Sequence, residues 1–432
     1  MKELQVGIFG LGTVGSGTVD ILTNNKEIIQ TSTTTPVRVK TVCVKDTSKQ
    51  RKVNLHGSKL TSDPNDILDD PEIDIVVEVM GGIEYSKSVI EQAFKKGKHV
   101  VSANKDLIAL YGKELTDMAR KHNCHFFFEA AVAGGIPILR ALQFSLIGNQ
   151  IQKIGGIING STNYILTRMQ VEELSLDKII DDAKRLGYLE ADPSADLEGY
   201  DAARKCAILA SIAFNNLVTF DQVYVSGINN ITLEDIKYAK NLGYTIKLLA
   251  IAENTESGIV ARVHPCLIPS SHPLAGVMYS FNAVYVICDK LGETMFYGKG
   301  AGDLPTGSAV VNDIASIAKN ISFNQKPEYG YKILNESRVL SIDEQSFSYY
   351  LRLNVQKNLI NISDVLNIFD KYKITIKTLD KFEKKQNGNS SLDYIITTGT
   401  SLEESFNKAV KEIEDLSSVN GKAKIIRIER GL

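Results

Sequence analysis

The chain has 432 residues with 49 Lys and Arg against 51 Asp and Glu, a formal net charge of -2 at pH 7, so two or three domains are expected and no global field draws them to nucleic acid or an anionic membrane. The five cysteines, Cys43, Cys124, Cys206, Cys266 and Cys288, are odd in number and show no Cys-x-x-Cys spacing, which fits reduced thiols in the cytoplasm and argues against structural zinc. The N-terminus enters a strand-like run directly and no apolar stretch approaches about 18 residues, so neither a signal peptide nor a membrane span is expected.

Leu4 to Phe9 reads as a buried strand, followed at once by Gly10-Leu11-Gly12-Thr13-Val14-Gly15 and a helical run through Val19, Ile21 and Leu22. Val37 to Val44 and Ile73 to Val79 read as the next two strands. This is the order of a Rossmann dinucleotide-binding domain, placed at residues 1–130. Gly10 permits the tight turn, Gly12 lets a pyrophosphate approach the backbone, Gly15 lets helix and strand pack closely, and Thr13 and Val14 open the helix whose N-terminus faces the phosphates. The second strand ends in Val44-Lys45-Asp46, where Asp46 would favour NAD and Lys45, aided by Arg51, would favour the 2'-phosphate of NADP. Gly81-Gly82 and Asn104-Lys105 follow later strands, at the strand ends that border a cofactor crevice.

A glycine-rich hinge, Ala130 to Pro137, leads to a strand at Ile151–Ile158, the loop Asn159-Gly160-Ser161-Thr162-Asn163 and a helix near Ser175 to Leu186. The run from Gly187 then gathers Glu190, Asp192, Asp196, Asp201 and Lys205 around one turn, an environment suited to a cationic small molecule. Asp201 and Lys205 stand four apart at a helix start and so point the same way. With Leu209 and Ile212 below them, and Arg204, Ser211 and Asn215 as the polar stripe, Lys205 tops an inward face where a lysine can serve as acid or base. Ile259–Val263 and Ala283–Ile287 read as strands of an antiparallel sheet, and a glycine-rich segment containing Gly302 leads into a helix from Thr306. Residues 320–346, with Pro327 and Gly330, read as a linker. The rest reads strand, helix, strand, strand, helix, strand, with strands at Tyr349–Val355, Ile374–Thr378, Leu392–Thr398 and Ala423–Ile428, and a capping box of Ser401 with Glu404 ahead of Phe406, Val410 and Ile413.

Ala183-x-x-x-Gly187 leading into Asp192-Pro193-x-x-Asp196-Leu197-x-Gly199-x-Asp201-x-x-x-Lys205 closely resembles the signature of homoserine dehydrogenases, with Leu189 where that family usually has a small residue. The resemblance runs through residues 1–320 and more loosely to the end. It implies NAD(P)-dependent interconversion of L-aspartate 4-semialdehyde and L-homoserine, a step toward threonine, isoleucine and methionine. It also implies an α/β chain with an α+β substrate and dimerisation domain at 131–304, a return to the Rossmann domain at 305–320, and a homodimer or homotetramer. Lys205 and Lys105 are the implied catalytic residues, and Gly187, Glu190, Asp196 and Asp201 the implied substrate residues. Gly10, Gly12, Thr13, Val14, Gly15, Lys45, Arg51, Gly81, Lys105 and Gly302 would meet the cofactor. The family more often has arginine where Lys45 stands, which favours NADP over NAD. In relatives Glu129 and the carbonyls of Val132, Gly134 and Ile136 hold a monovalent cation, usually taken as sodium.

No aspartate-kinase-like region precedes Met1, so a monofunctional enzyme is expected. Residues 347–432 resemble an ACT-type regulatory domain with βαββαβ order, but Lys357, Leu359 and Ile360 stand in the loop where amino-acid-binding members carry Asp, Pro and Gly. A structural or dimerising role therefore stands beside amino-acid binding. The alternatives are a dehydrogenase of another amino-acid semialdehyde and a non-catalytic NAD(P)-binding amino-acid sensor, although a sensor has no use for a proton donor beside the nicotinamide.

Overall fold

The computed structural model describes residues 3–51, 53–185, 192–332, 334–356, 362–386 and 389–432. Six strands, β1 (Leu4–Phe9), β2 (Val37–Cys43), β3 (Lys59–Thr61), β4 (Ile73–Glu78), β5 (His99–Ser102) and β6 (Phe126–Phe127), form one sheet in the order β3-β2-β1-β4-β5-β6. Every pairing in it is parallel. Helices lie between the strands, and β1 and β4 are near-continuous apolar runs because both faces of a parallel sheet are covered. The strand order reverses between β1 and β4, which opens a crevice at their C-terminal ends.

The helix Asp303–Ser322 returns from the second half of the chain and packs on the helix Thr13–Asn24. Two glycines make that approach possible. A Cβ on Gly17 would lie 2.1 Å from the Asp303 carbonyl oxygen, and one on Gly307 would lie 2.7 Å from the Gly17 carbonyl carbon.

The second sheet begins with Gly292–Lys299, Phe281–Cys288, Ile151–Ile157, Tyr244–Thr255 and Gly258–Pro269 in that spatial order, all antiparallel. Two of these strands are absent from the sequence reading. Tyr244–Thr255 is buried along most of its length on both faces, so its residues show no polar–apolar alternation. Gly292–Lys299 does alternate in burial, but as an edge strand it carries few strongly apolar residues.

The sheet continues into the C-terminal module. Gly258–Pro269 pairs in parallel with Lys424–Ile428, through Cys266 with Arg427 and Leu267 with Ile428. Beyond it come Ser346–Gln356, Asn389–Thr398 and Ile376–Gln386, which gives the module the order fourth, first, third, second. Its second strand runs to Gln386, well past Thr378. The extension carries Asp380, Lys381 and Lys384, a polar run that hides a strand from apolar-pattern reading. The loop residues Lys357, Leu359 and Ile360 lie outside the described residues.

Three expectations change. The segment after Ser322 is strapped across both halves by bridges of Tyr329 to Phe126, Asn335 to Asn216 and Val339 to Ile259, with Tyr331 buried, so it is a tie and not a free linker. Ser401 does not cap the last helix: it pairs with Phe347 as Leu402 pairs with Ser346, which moves the N-cap to Leu402 and leaves the Ser401 hydroxyl buried with no hydrogen-bond partner among the described residues. The helix Tyr200–Phe214 is buried on nearly every face and has no polar stripe, for Ser211 is buried and exchanges hydrogen bonds with Val218.

Candidate active site

The end of β1 turns sharply at Gly10, whose φ of +103° suits glycine and whose Cβ would lie 2.6 Å from the Val79 carbonyl oxygen. A Cβ on Gly15 would lie 2.2 Å from the Gly10 carbonyl oxygen, whereas one on Gly12 would meet nothing within 4 Å. Gly10 and Gly15 are therefore fixed by packing, and Gly12 by the open space a ligand would use. The helix Thr13–Asn24 has no side-chain cap and no acid in its first turn, so its positive end is free for an anion. These features fit a dinucleotide pyrophosphate. Past β2, Asp46 accepts from the Ser48 hydroxyl and amide at 2.6 and 2.8 Å, which holds its carboxyl below the usual range. Arg51 donates to the carbonyls of Asp46 and Lys49, and Lys45 is exposed.

A buried carboxylate that the sequence reading passed over ties together the far side of this crevice. Glu78, at the end of β4, accepts from the Met80 amide and the Ser86 hydroxyl at 3.0 Å each and from the Ser102 hydroxyl at 2.8 Å. Burial nevertheless pushes its carboxyl above the usual value. Ser102 also accepts from the Asn104 amide, and the Asn104 side chain donates to Gly82 and caps the helix Lys105–Lys121 at Leu107. The loop of Gly81 and the turn that presents Lys105 are thereby held as one unit. An acid closing an apolar strand was the available signal.

Asp201 is 7% exposed and receives cations from two helices, its own and Lys105–Lys121. Lys205 Nζ, one helical turn on, lies 2.6 Å from Oδ2 and donates to the Ile158 carbonyl at 3.0 Å. Lys105 Nζ, from the start of its own helix, lies 3.3 Å from Oδ1. Asn159 Nδ2 donates to Asp201 Oδ2 at 2.8 Å and to Asp196 Oδ1 at 2.7 Å, which links the two acids. In the sequence Asn159 is only a loop residue, because its partners are 37 and 42 positions away. Burial would raise the Asp201 carboxyl, but Lys205 and Lys105 outweigh it and hold it at about 2. Burial would lower Lys105, but Asp201, Asp106 and Asp196 outweigh it and hold its ammonium above the ordinary lysine value.

The remaining candidates divide. Gly187 and Glu190 lie outside the described residues, and Asp192 caps Ser194 at the surface. Gly302, at φ +122°, opens the helix Asp303–Ser322. Gly134 sits against the Gly300 carbonyl, so the hinge and the glycine-rich return touch. No hydrogen bond among the described residues takes up the carbonyls of buried Val132 or Gly134, which fits a cation cradle; the Ile136 carbonyl accepts from Ile138. Both Glu129 carboxylate oxygens accept amide hydrogen bonds, from Leu139 and Arg140 at 2.8 Å each, and burial with Asp313 nearby pushes its carboxyl up to about 8. Elsewhere, His264, Cys266 and Glu429 bring ligand atoms within 4.8 Å of one another, but Glu429 is paired with Arg262, and Arg262 and Arg427 make the place repel a metal cation.

A dinucleotide crevice beside a lysine–carboxylate cluster defines a nicotinamide-dependent dehydrogenase of a small charged substrate. Residues 10–129 match the model of the homoserine dehydrogenase NAD-binding domain, and residues 137–315 the model of homoserine dehydrogenase. The chain is 41% identical over 430 residues to the homoserine dehydrogenase of Bacillus subtilis strain 168, covering 99% of each. A crystal structure of a homoserine dehydrogenase from Thiobacillus denitrificans superposes with a TM-score of 0.94 at 41% identity, over 99% of both chains. A hyperthermophilic archaeal homoserine dehydrogenase mutant in complex with NADPH superposes at 0.62, with 28% identity over 73% of this chain and 98% of that one. The chain belongs to the homoserine dehydrogenase family, and it is an NAD(P)-dependent oxidoreductase. Among the described residues no helix is long and apolar enough to cross a membrane.

Proposed function

We propose that the enzyme interconverts L-aspartate 4-semialdehyde and L-homoserine, with the two lysines on Asp201 handling the hydroxyl proton. The observation that carries this reading is the convergence of Lys205 and Lys105 on opposite oxygens of one buried carboxylate, at 2.6 and 3.3 Å. The bound nicotinamide supplies or accepts the hydride. Lys205, anchored to Asp201 and the Ile158 carbonyl, directs its remaining N–H at the substrate oxygen and exchanges the proton with it. Lys105 is less buried and is held by Asp201; it polarises the same oxygen and passes the proton to water. Asp201 stays ionised and aims both ammonium groups, while Asp196, with Gly187 and Glu190 ahead of it, receives the substrate's ammonium end.

NADP is favoured over NAD, because Lys45 and Arg51 are cationic at the end of β2 and the Asp46 carboxylate turns to Ser48. A monovalent cation, taken as sodium, would be held by the hinge carbonyls of Val132, Gly134 and Ile136, beside Glu129, which accepts from Leu139 and Arg140. Exposed Met295 and Tyr297 on the edge strand suit contact with a second copy in a homodimer or homotetramer. The five free, buried cysteines suit the cytoplasm, and the C-terminal module is ACT-like with a structural or amino-acid-binding role. Homoserine-dependent reduction of the nicotinamide tests the reading. Folded, cofactor-binding Lys205→Ala and Lys105→Ala are each expected to lose roughly a hundredfold or more in kcat. Wild-type turnover by either variant would remove its assigned role.

A further inference from the structure

The contact between the cofactor domain and the substrate domain at the active site contains a second ion pair, which the proposed chemistry leaves unused. Asp106, next to Lys105 at the start of its helix, faces Arg204, one turn beyond Asp201, with Arg204 Nε 3.2 Å from Asp106 Oδ1. The Arg204 guanidinium also lies over the Phe220 ring, 5.0 Å from its centroid, which limits where it can swing. Asp106 Oδ1 is buried and accepts no hydrogen bond from the described residues, so charge couples it to Arg204. About a third of each side chain remains exposed, so the pair adds little stability.

Its arrangement is more informative than its strength. Lys105 meets Asp201 while Asp106 meets Arg204, so two neighbouring pairs of opposite polarity cross the same contact. A slip of one helix along the other would bring Lys105 toward Arg204 and Asp106 toward Asp201, like charge against like. Only one register satisfies both pairs. Among the described residues, the charged groups around Lys105 are Asp106 on its own helix, Asp201, Arg204 and Lys205 on the facing helix, and Asp196 on the short helix Ser194–Leu197.

We infer that Asp106 and Arg204 are positioning residues: together they register Lys105 against Asp201 across the domain contact, and Asp106 adds the charge that keeps Lys105 protonated between turnovers. The inference rests on the proposed role of Lys105 in the proton relay. It is supported by Asp106 standing among the groups that hold the Lys105 ammonium above its ordinary value.

The test is the pH profile of kcat for homoserine oxidation in Asp106→Asn, Arg204→Gln and the double variant, with cofactor binding as the check on folding. In oxidation Lys105 must shed its proton, so the rate rises with pH through its titration. Asp106→Asn is expected to lower kcat roughly five- to tenfold and to move that limb about half a pH unit downward, with little change in KM for the cofactor. Arg204→Gln is expected to lower kcat to a similar extent without moving the limb downward, and the double variant to resemble Asp106→Asn. A purely structural pair would weaken both single variants alike and leave the limb in place, which would overturn the inference, as would wild-type kcat and limb in folded Asp106→Asn. Lys105→Ala, run alongside, separates two failures. Turnover that survives without Lys105 breaks the reading of the site, whereas turnover that needs Lys105 but is indifferent to Asp106 and Arg204 breaks the pairing.

Discussion

Asp201 in the cleft and Glu429 at the seam with the C-terminal module are both buried carboxylates flanked by two cations, but the cations differ in kind. Around Asp201 they are lysines with N–H groups to spare, one of them a third exposed. Around Glu429 the nearer cation is Arg262, at 2.6 Å and 4% exposed, with Lys153 at 3.6 Å. Arg262 also donates to Gln345, and neighbouring Arg427 donates to Glu403 and lies over the rings of Tyr224 and Phe347. An arginine fork stays charged and points at fixed partners, whereas a lysine can give up a proton and reach for a new one. The seam is built as a joint, whereas the cleft keeps the kind of cation that the proposed proton transfer needs.

That contrast can be broken from either side. The largest expected effect is on turnover: Asp201→Asn leaves two ammonium groups without their shared carboxylate, and kcat should fall roughly 10²- to 10⁴-fold while the protein still folds. Near-normal steady-state turnover would make Asp201 a structural acid like Glu429. From the other side, Arg262→Ala should cost about 3–5 kcal/mol in denaturant unfolding, because it strands a buried carboxylate, while kcat per folded enzyme stays within a few-fold. A catalytic defect without lost stability would undo the distinction.

A smaller effect comes from acid. The Asp201 carboxyl sits at about 2 in the native protein, below its ordinary value, so the native state is favoured above roughly pH 4 and loses that advantage as pH falls toward about 2. The loss should be about 2 kcal/mol for wild type and absent in Asp201→Asn, measured as the difference in their stability between pH 5 and about pH 2.

The cofactor crevice was readable because its logic is local: Gly10, Gly12 and Gly15 act on a turn and on the helix they open, and each meets the surroundings its role requires. Lys105, Asp201 and Lys205 were readable through the resemblance and, for the latter two, through helical spacing. Asn159 and Glu78 were not, since what gives them meaning is contact with Asp196, Asp201, Ser86 and Ser102, distant in sequence. The same holds for the fold. Tyr244–Thr255 hides as a strand because it is buried on both faces, and Ser401 resembles a helix cap until its pairing with Phe347 pulls it aside. The tie from Phe323 to Gln345 reads as a linker because single bridges leave no period in the sequence.

In the proposed mechanism, lysines from two domains move the substrate's proton beside one buried carboxylate. Its most direct test is homoserine-dependent nicotinamide reduction across pH, comparing wild type with Lys205→Arg, which keeps the charge on Asp201 but cannot give up its proton. Wild type should speed up toward alkaline pH, with its limb above the ordinary lysine value because of Lys105, while the folded, cofactor-binding variant loses roughly a hundredfold or more at every pH. Wild-type turnover in Lys205→Arg would show that charge at this position is enough and that the proton travels by another route.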